Sequence, residues 1–268
     1  MKKYIKSSAA GLVFACSLLG ANQAMAKSDL EGVISSGELK VCFDAGYMPF
    51  EMKTKDGRFI GFDVDLGKHM ARSMGVKFTP VNTAWDGIIP ALQTSKCDII
   101  MGGMTITPER NLKVNFADPY IVIGQSIILS PALEGKINSY TDLNDPKYTI
   151  STKLGTTGVE AAKKRLFNAK IDLYDTEVDA VLQVVNGKAD AFVYDFPYNS
   201  IYAAQNKGKV GHLAEPFTYE PLGWAIRQDD PNFLNFLNNY LRQIKGDGTY
   251  DRMYDKWFKS DDWLKEVQ

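Results

Sequence analysis

The 268-residue chain has little of what metal and nucleophilic centres are built from: three cysteines and two histidines. His69 and His212 lie far apart, no Cys/His cluster has the spacing of a zinc site, and no metal is expected. A Ser/His/Asp triad has equally little to draw on. Net charge is also lacking, since 31 Lys and Arg stand against 32 Asp and Glu for a formal charge of −1, so nucleic-acid binding through bulk charge is not expected. The longest apolar stretch, Ala9–Leu19, is shorter than the about 20 residues of a membrane-spanning helix. A Gly-x-x-x-x-Gly-Lys-Ser/Thr phosphate loop is absent, so no ATP site and no cofactor is expected. What remains is the composition of an ordinary folded protein, 45% hydrophobic and 24% charged, long enough for one large or two small domains.

Residues 1–26 read as a secretory signal. Lys2, Lys3 and Lys6 precede the apolar stretch, and Ala24-Met25-Ala26 supplies a small-residue cleavage pattern. A lipid-attached Cys16 is disfavoured because apolar sequence continues past it. Cleavage after Ala26 removes three lysines and no acids, which takes the formal charge to −4. Cys42 and Cys97 then remain. In an oxidising compartment they could pair, but each sits at or beside a strand-like apolar run, and two separate buried thiols are expected.

Along the chain, strand-like and helix-like runs alternate. Leu39–Phe43, Phe62–Met74, Val76–Val81, Ile88–Gln93 and Asp98–Gly102 form one α/β set, in which His69 is expected to face the surface. Leu129–Pro131 resembles a linker. A second set follows it, with strands at Tyr148–Thr152, Ile171–Tyr174 and Ala191–Val193 and helices at Val159–Ala169 and Val178–Asn186. Pro221–Arg227 reads as a returning strand. Phe233, Leu237, Leu241 and Ile244 then recur at helical spacing up to Gly246.

Open parallel sheets bind ligands beyond the carboxyl ends of their strands, which singles out Asp44, Tyr47, Gly103, Thr105, Arg110, Gly155–Gly158 and Asp195. Thr107-Pro108 is a helix start just before Arg110, whose planar fork suits a carboxylate. Thr157-Gly-Val-Glu160 matches a capping box at a helix N-terminus, a second place for an anion. Asp195 can accept from an ammonium, and Tyr47 or Trp85 can wall it with an aromatic face. Together they describe a site for an α-amino acid. Each residue also has a plainer role open to it: Arg110 as partner of a surface acid, Thr157 and Asp195 as caps, Tyr47 and Trp85 as core.

Tyr47-Met-Pro-Phe-Glu51, Ile60-Gly-Phe-Asp-Val-Asp-Leu66, Ile88-Ile-Pro-Ala-Leu-Gln93 and Thr105-Ile-Thr-Pro-Glu-Arg110 occur in order. Gly155-Thr-Thr-Gly158, Ala189-Asp-Ala-Phe-Val-Tyr-Asp195 and Gly248-Thr-Tyr-Asp-Arg-Met-Tyr-Asp-Lys-Trp-Phe258 continue the series. The set resembles the periplasmic amino-acid-binding proteins of bacterial ABC importers over nearly all of the mature chain. The resemblance implies an α/β, two-lobed type II clamshell, with residues 27–122 and 221–268 in a larger lobe and 123–220 in a smaller one. Crossovers would lie near Tyr120–Gln125 and Thr218–Leu222. It further implies a carboxylate grip at Arg110, Thr105 and the Thr156–Thr157 backbone, ammonium contacts at Gly103 and Asp195, and aromatic walls at Tyr47 and Trp85. A membrane permease with its ATPase would be the partner, and the protein is expected to be a periplasmic monomer and not an enzyme.

Asp44, Lys153 and Tyr194 match positions that help such proteins choose a ligand. A fixed Lys153 cation would repel arginine and lysine side chains and suit an amide oxygen or a carboxylate, while Asp44 could accept from an amide, so a glutamine-like ligand is expected. Asp44, Lys153 and Thr105 agree with the glutamine-binding branch, whereas Trp85, Thr157 and Tyr194 depart from it. The same fold also resembles cyclohexadienyl dehydratases, which act on prephenate or arogenate. Such an enzyme needs a neutral proton donor in its cleft, and the sequence offers none, because Glu177 is expected to face solvent on its helix. A sensory receptor domain would normally continue into a membrane helix, while this chain stops at Gln268.

Overall fold

The computed structural model describes residues 28–267; the signal segment, its cleavage site and Cys16 lie outside the described residues. The chain runs α1 (Asp29–Ser36), β1 (Glu38–Phe43), β2 (Met52–Lys53), β3 (Phe59–Ile60), α2 (Phe62–Ser73), β4 (Lys77–Asn82), α3 (Ile88–Gln93), β5 (Ile99–Ile100), α4 (Pro108–Asn111), β6 (Asn115–Phe116) and β7 (Ile121–Ile123). It continues through β8 (Gln125–Leu129), β9 (Thr149–Lys153), α5 (Thr157–Arg165), β10 (Lys170–Tyr174), α6 (Glu177–Val185), β11 (Ala191–Asp195), α7 (Phe196–Gln205) and β12 (Gly211–Leu213). Last come β13 (Glu220–Leu222), β14 (Ala225–Ile226), α8 (Pro231–Gly246), α9 (Thr249–Phe258) and α10 (Leu264–Val267).

The strands assemble into two five-stranded sheets of the same design. In the first, ordered β4-β1-β5-β14-β6, the β4, β1 and β5 strands are parallel and β14 is antiparallel to its neighbours. In the second, ordered β10-β9-β11-β8-β12, the β10, β9 and β11 strands are parallel and β8 is antiparallel. The chain leaves the first sheet through β7 and returns through β13. These two strands pair antiparallel, Ile121 opposite Leu222 and Ile123 opposite Glu220. The ribbon is tied to the first sheet's loops, because the Ile106 amide donates to the Pro221 carbonyl at 2.8 Å and the Gly223 amide to the Met104 carbonyl at 3.0 Å.

Local chemistry sets the helix ends. Asp230 accepts from the Phe233 amide at 2.9 Å and Pro231 opens α8, whose Phe233, Leu237, Leu241 and Ile244 are buried at the expected spacing. In α2, Phe62, Val64, Leu66 and Met70 bury against the core, where Phe62 meets Tyr250, Tyr254 and Phe258 of α9 edge to face.

Three expectations are corrected. Leu129–Pro131 is not a linker: Leu129 is the buried end of β8, an interior strand of the second sheet, and a short 3₁₀ turn follows it. Cys42 and Cys97 form a disulfide with Cα atoms 5.7 Å apart. Both lie at strand-like runs as read, but β1 and β5 are adjacent in the sheet, with Cys42 opposite Ile100, so burial brings the two sulfurs together rather than separating them. His69 is half-buried, its Nδ1 2.8 Å from the Tyr240 hydroxyl of α8, because α8 packs over that face of α2.

Candidate functional site

The carboxyl ends of both sheets' parallel strands face one cavity. Its lining includes all eleven residues that the sequence singled out: Asp44, Tyr47, Trp85, Gly103, Thr105 and Arg110 from the first sheet's side, Lys153, Thr156, Thr157, Tyr194 and Asp195 from the second's. The cavity is narrow, about 20 Å³. The two sides meet directly across it.

Arg110 is aimed by its own helix start. The Thr107 hydroxyl accepts from the Arg110 amide at 3.2 Å and Pro108 occupies the first helical position, as the sequence predicts. The guanidinium donates to the Thr105 carbonyl at 2.9 Å and, across the cleft, to the Gly155 carbonyl at 3.2 Å. It lies 5.4 Å from the centre of the Trp85 ring, and the Trp85 indole N–H donates to that same Gly155 carbonyl at 3.0 Å. Burial lowers the Arg110 pKa, yet an arginine keeps its charge in proteins.

On the opposite side the capping box is not formed. Thr156, not Thr157, is the N-cap of α5, and its side chain donates back to the Lys153 carbonyl at 2.7 Å instead of capping. Thr157 is the first helical residue and turns its hydroxyl into the cleft, 3.4 Å from that of Thr105. Because the first amides of a helix have no intrahelical acceptor, those of Thr157 and Gly158 remain available to an anion.

Asp195, at the end of β11, is buried and accepts from the Tyr47 hydroxyl across the cleft and from the Gln125 amide beside it in register. Burial pushes its carboxyl up to about 7, against the pull of those two hydrogen bonds and of Arg110. Tyr47 stacks on Phe50 and meets Tyr194 edge to face at 5.6 Å. Gly103 passes directly under the Tyr47 ring, where a Cβ would lie 2.2 Å from it, and its φ of +63° also favours glycine. Its amide donates to Asp63 at 2.9 Å, which leaves only its carbonyl as a polar backbone group for a ligand.

Lys153 is not the lone cation of the sequence reading. Its buried ammonium donates to Asp44 at 2.7 Å and to Glu177 at 2.8 Å. Burial alone would lower its pKa, but the two carboxylates outweigh burial and raise it. Glu177 was expected at the solvent; it is instead 2% exposed, because the start of α6 points it beneath the end of β9.

Sequence reasoning therefore missed Glu177, and it also missed Gln125 and Glu51. Glu51 lines the cavity and is 1% exposed, and its Oε2 has no hydrogen-bond partner among the described residues. Burial, with the charges of Asp63 and Asp44, holds its pKa well above the usual carboxylate range. An acid set between Phe50 and Met52 in an apolar run was the available signal. No group of His, Cys, Asp and Glu side chains among the described residues is arranged to hold a metal ion, and no described helix is long and apolar enough to cross a membrane.

Two α/β sheets joined by a two-stranded crossover, with a charged cleft between their strand ends, define the type II periplasmic-binding-protein clamshell. The chain belongs to the bacterial extracellular solute-binding proteins, family 3, whose pattern it matches over residues 39–260. A Wolinella succinogenes protein, described as a binding component of an ABC transporter and solved in complex with lysine, is 53% identical. It superposes with a TM-score of 0.83 over 85% of this chain and 99% of its own. The ABC transporter arginine-binding protein 1 of Escherichia coli is 31% identical over 85% of this chain and 93% of its own length. The cyclohexadienyl dehydratase of Pseudomonas aeruginosa is 26% identical over 87% of each.

Proposed function

We propose that the protein is the capture component of an ABC importer, a periplasmic monomer released from its signal segment after Ala26, that binds an L-α-amino acid between its lobes and hands it to a membrane permease. The observation that carries this reading is the convergence of a guanidinium, open helix amides, a buried carboxylate and two aromatic faces on one cavity fed by both sheets. Arg110, Thr105 and the Thr157 and Gly158 amides take the ligand's carboxylate; Asp195 and the Gly103 carbonyl take its ammonium; Tyr47 and Trp85 flank its Cα, and Tyr194 lies behind.

The lobes divide at the β7/β13 ribbon, with residues 27–122 and 221–268 on one side and 123–220 on the other. Direct contacts across the narrow cleft must part before an amino acid can enter, so binding proceeds through an opened form. The contacts that Arg110, Trp85 and Tyr47 make across the cleft are then exchanged for contacts with the ligand. Ligand held from both sides stabilises only the closed form.

A second reading, dehydration of a cyclohexadienyl substrate, gains one observation from Glu51, a buried carboxyl in the cavity whose pKa burial raises, as a proton donor requires. The discriminating experiment is a thermal-shift screen of the refolded mature chain against the twenty amino acids, with prephenate turnover followed in parallel. A ligand at 100 times its Kd adds about 2.7 kcal/mol. Stabilisation by amino acids without turnover supports capture; turnover without amino-acid stabilisation replaces it with catalysis.

A further inference from the structure

Three ionic side chains meet at the cavity wall, where the Lys153 ammonium lies 6.0 Å from the centre of the Trp85 ring, and only two of them were legible as ligand-facing. Lys153 closes β9, Asp44 follows β1 of the other sheet, and Glu177 opens α6. The ammonium sits between the carboxylates at 2.7 and 2.8 Å, with the Lys153 and Glu177 side chains each 3% exposed and that of Asp44 23% exposed. The fold makes room for Glu177 from the opposite lobe. Its Oε1 lies over Gly46, where a Cβ would stand 2.3 Å from it, so a side chain at this position would have to displace the carboxylate.

We propose that Glu177 is a specificity-determining residue: with Asp44 it holds the Lys153 ammonium and leaves the side-chain end of the cavity anionic overall. That end then selects ligands whose side chains finish in a hydrogen-bond donor or a cation over ligands that finish in a carboxylate. The inference rests on the amino-acid reading above. Two carboxylates against one ammonium leave one negative charge. Burial raises the pKa of nearby Glu51, which works against its adding to that charge. An ammonium can donate three hydrogen bonds and two are committed, so little of Lys153 is left to attract an incoming acidic side chain. Without Glu177 the same ammonium would be free to act as the selector for amide and acidic side chains that the bare sequence suggests. Glu177 thus reverses the sign of the selection without needing to touch the ligand itself.

The test is calorimetric titration of the refolded mature protein with lysine, arginine, glutamine and glutamate, repeated for Glu177→Gln and for Lys153→Met, with thermal unfolding as the folding control. The readout is the ratio of the glutamate Kd to the lysine Kd. Wild type should favour lysine. Glu177→Gln, which keeps the shape and removes the charge, should move the ratio toward glutamate by about tenfold or more, as a unit charge a few ångströms away does at partly buried sites. Lys153→Met removes the cation and should move the ratio the other way. A merely structural ion pair would weaken all four ligands alike in both variants. Should Glu177→Gln not fold, the direction of the Lys153→Met shift still decides. A ratio unchanged in the variants, or shifted the same way in both, overturns the inference while leaving the amino-acid reading intact. A wild type that binds no amino acid at all overturns both.

Discussion

Arg110 and Lys153 are the two cations of the cavity, yet the protein handles their charges in opposite ways. Arg110 rests on two neutral carbonyls, and among the described residues no carboxylate lies within ion-pair distance of it. Lys153 is locked between two carboxylates. A guanidinium that is desolvated but paired only with dipoles has most to gain from an incoming anion. An ammonium already paired twice has little to gain, and its role is to set the field that a ligand's side chain meets. The comparison shows why a cation in a cleft is not by itself a selector: what matters is the charge left after its neighbours are counted.

The sharpest way to break this comparison is to remove each cation in turn. Arg110→Ala should abolish measurable amino-acid binding, because it deletes the only fixed positive charge on the ligand's carboxylate. Lys153→Met should leave glutamine binding within about tenfold. Equal losses in calorimetry would show that the two cations share one role.

The next effect lies beneath both ends of the cavity. The Cys42–Cys97 disulfide closes a 55-residue separation and joins β1, which leads to Asp44, to the start of β5, which leads to Gly103 and Thr105. Loop-closure entropy for that length amounts to about 4 kcal/mol of stability. A Cys42→Ala/Cys97→Ala variant should show a loss near that size in denaturant unfolding while keeping the wild-type order of ligand preference. A changed preference would mean that the disulfide shapes the site rather than only supporting it.

How far the sequence made this legible follows the physics of each feature. Periodicity revealed the alternating elements, and the rule that ligands sit at strand ends picked out eight of the eleven singled-out residues that line one cavity; Trp85 was added as an aromatic wall, and Lys153 and Tyr194 came from the family resemblance alone. Pairing between distant segments was out of reach. Cys42 and Cys97 read as buried strand residues, which they are, but the adjacency of β1 and β5 that joins them is a tertiary fact. Glu177 follows Thr176, whose hydroxyl accepts from the Asp179 amide, and acids in a first turn usually face water. Nothing local marks this one as lying under Lys153. The capping box failed by a single residue, since Thr156 took the N-cap and released Thr157 to the cleft. Gln125 became visible only through the β8–β11 register that sets it beside Asp195.

Asp195 extends the comparison to the anions. Unlike Asp44, it is held by neutral donors, Tyr47 and Gln125, so a ligand ammonium would be its first close cation. Asp195→Ala should weaken binding by about 3 kcal/mol, within the range for truncating one partner of a buried charged pair.

The smallest and most diagnostic effect is its pH dependence. Burial raises the Asp195 carboxyl to about 7, above the roughly 3.9 of an unfolded chain, so between those values the folded state holds a proton that the unfolded state has lost. Stability from this group is therefore present at low pH and is lost as pH rises through about 7. Asp63, also raised by burial to about 7, adds the same slope. Ligand binding runs the other way, because an ammonium needs the ionised carboxylate. The amino-acid Kd should rise by up to tenfold for each pH unit below about 7, and the ligand-induced thermal shift should be larger at pH 8 than at pH 5.5. In Asp195→Asn the residual binding should lose most of this slope, whereas Lys153→Met should keep it. A slope that survives in Asp195→Asn would move the titrating group to Asp63, which touches the site only through the Gly103 amide, and would shift the ammonium contact away from the end of β11.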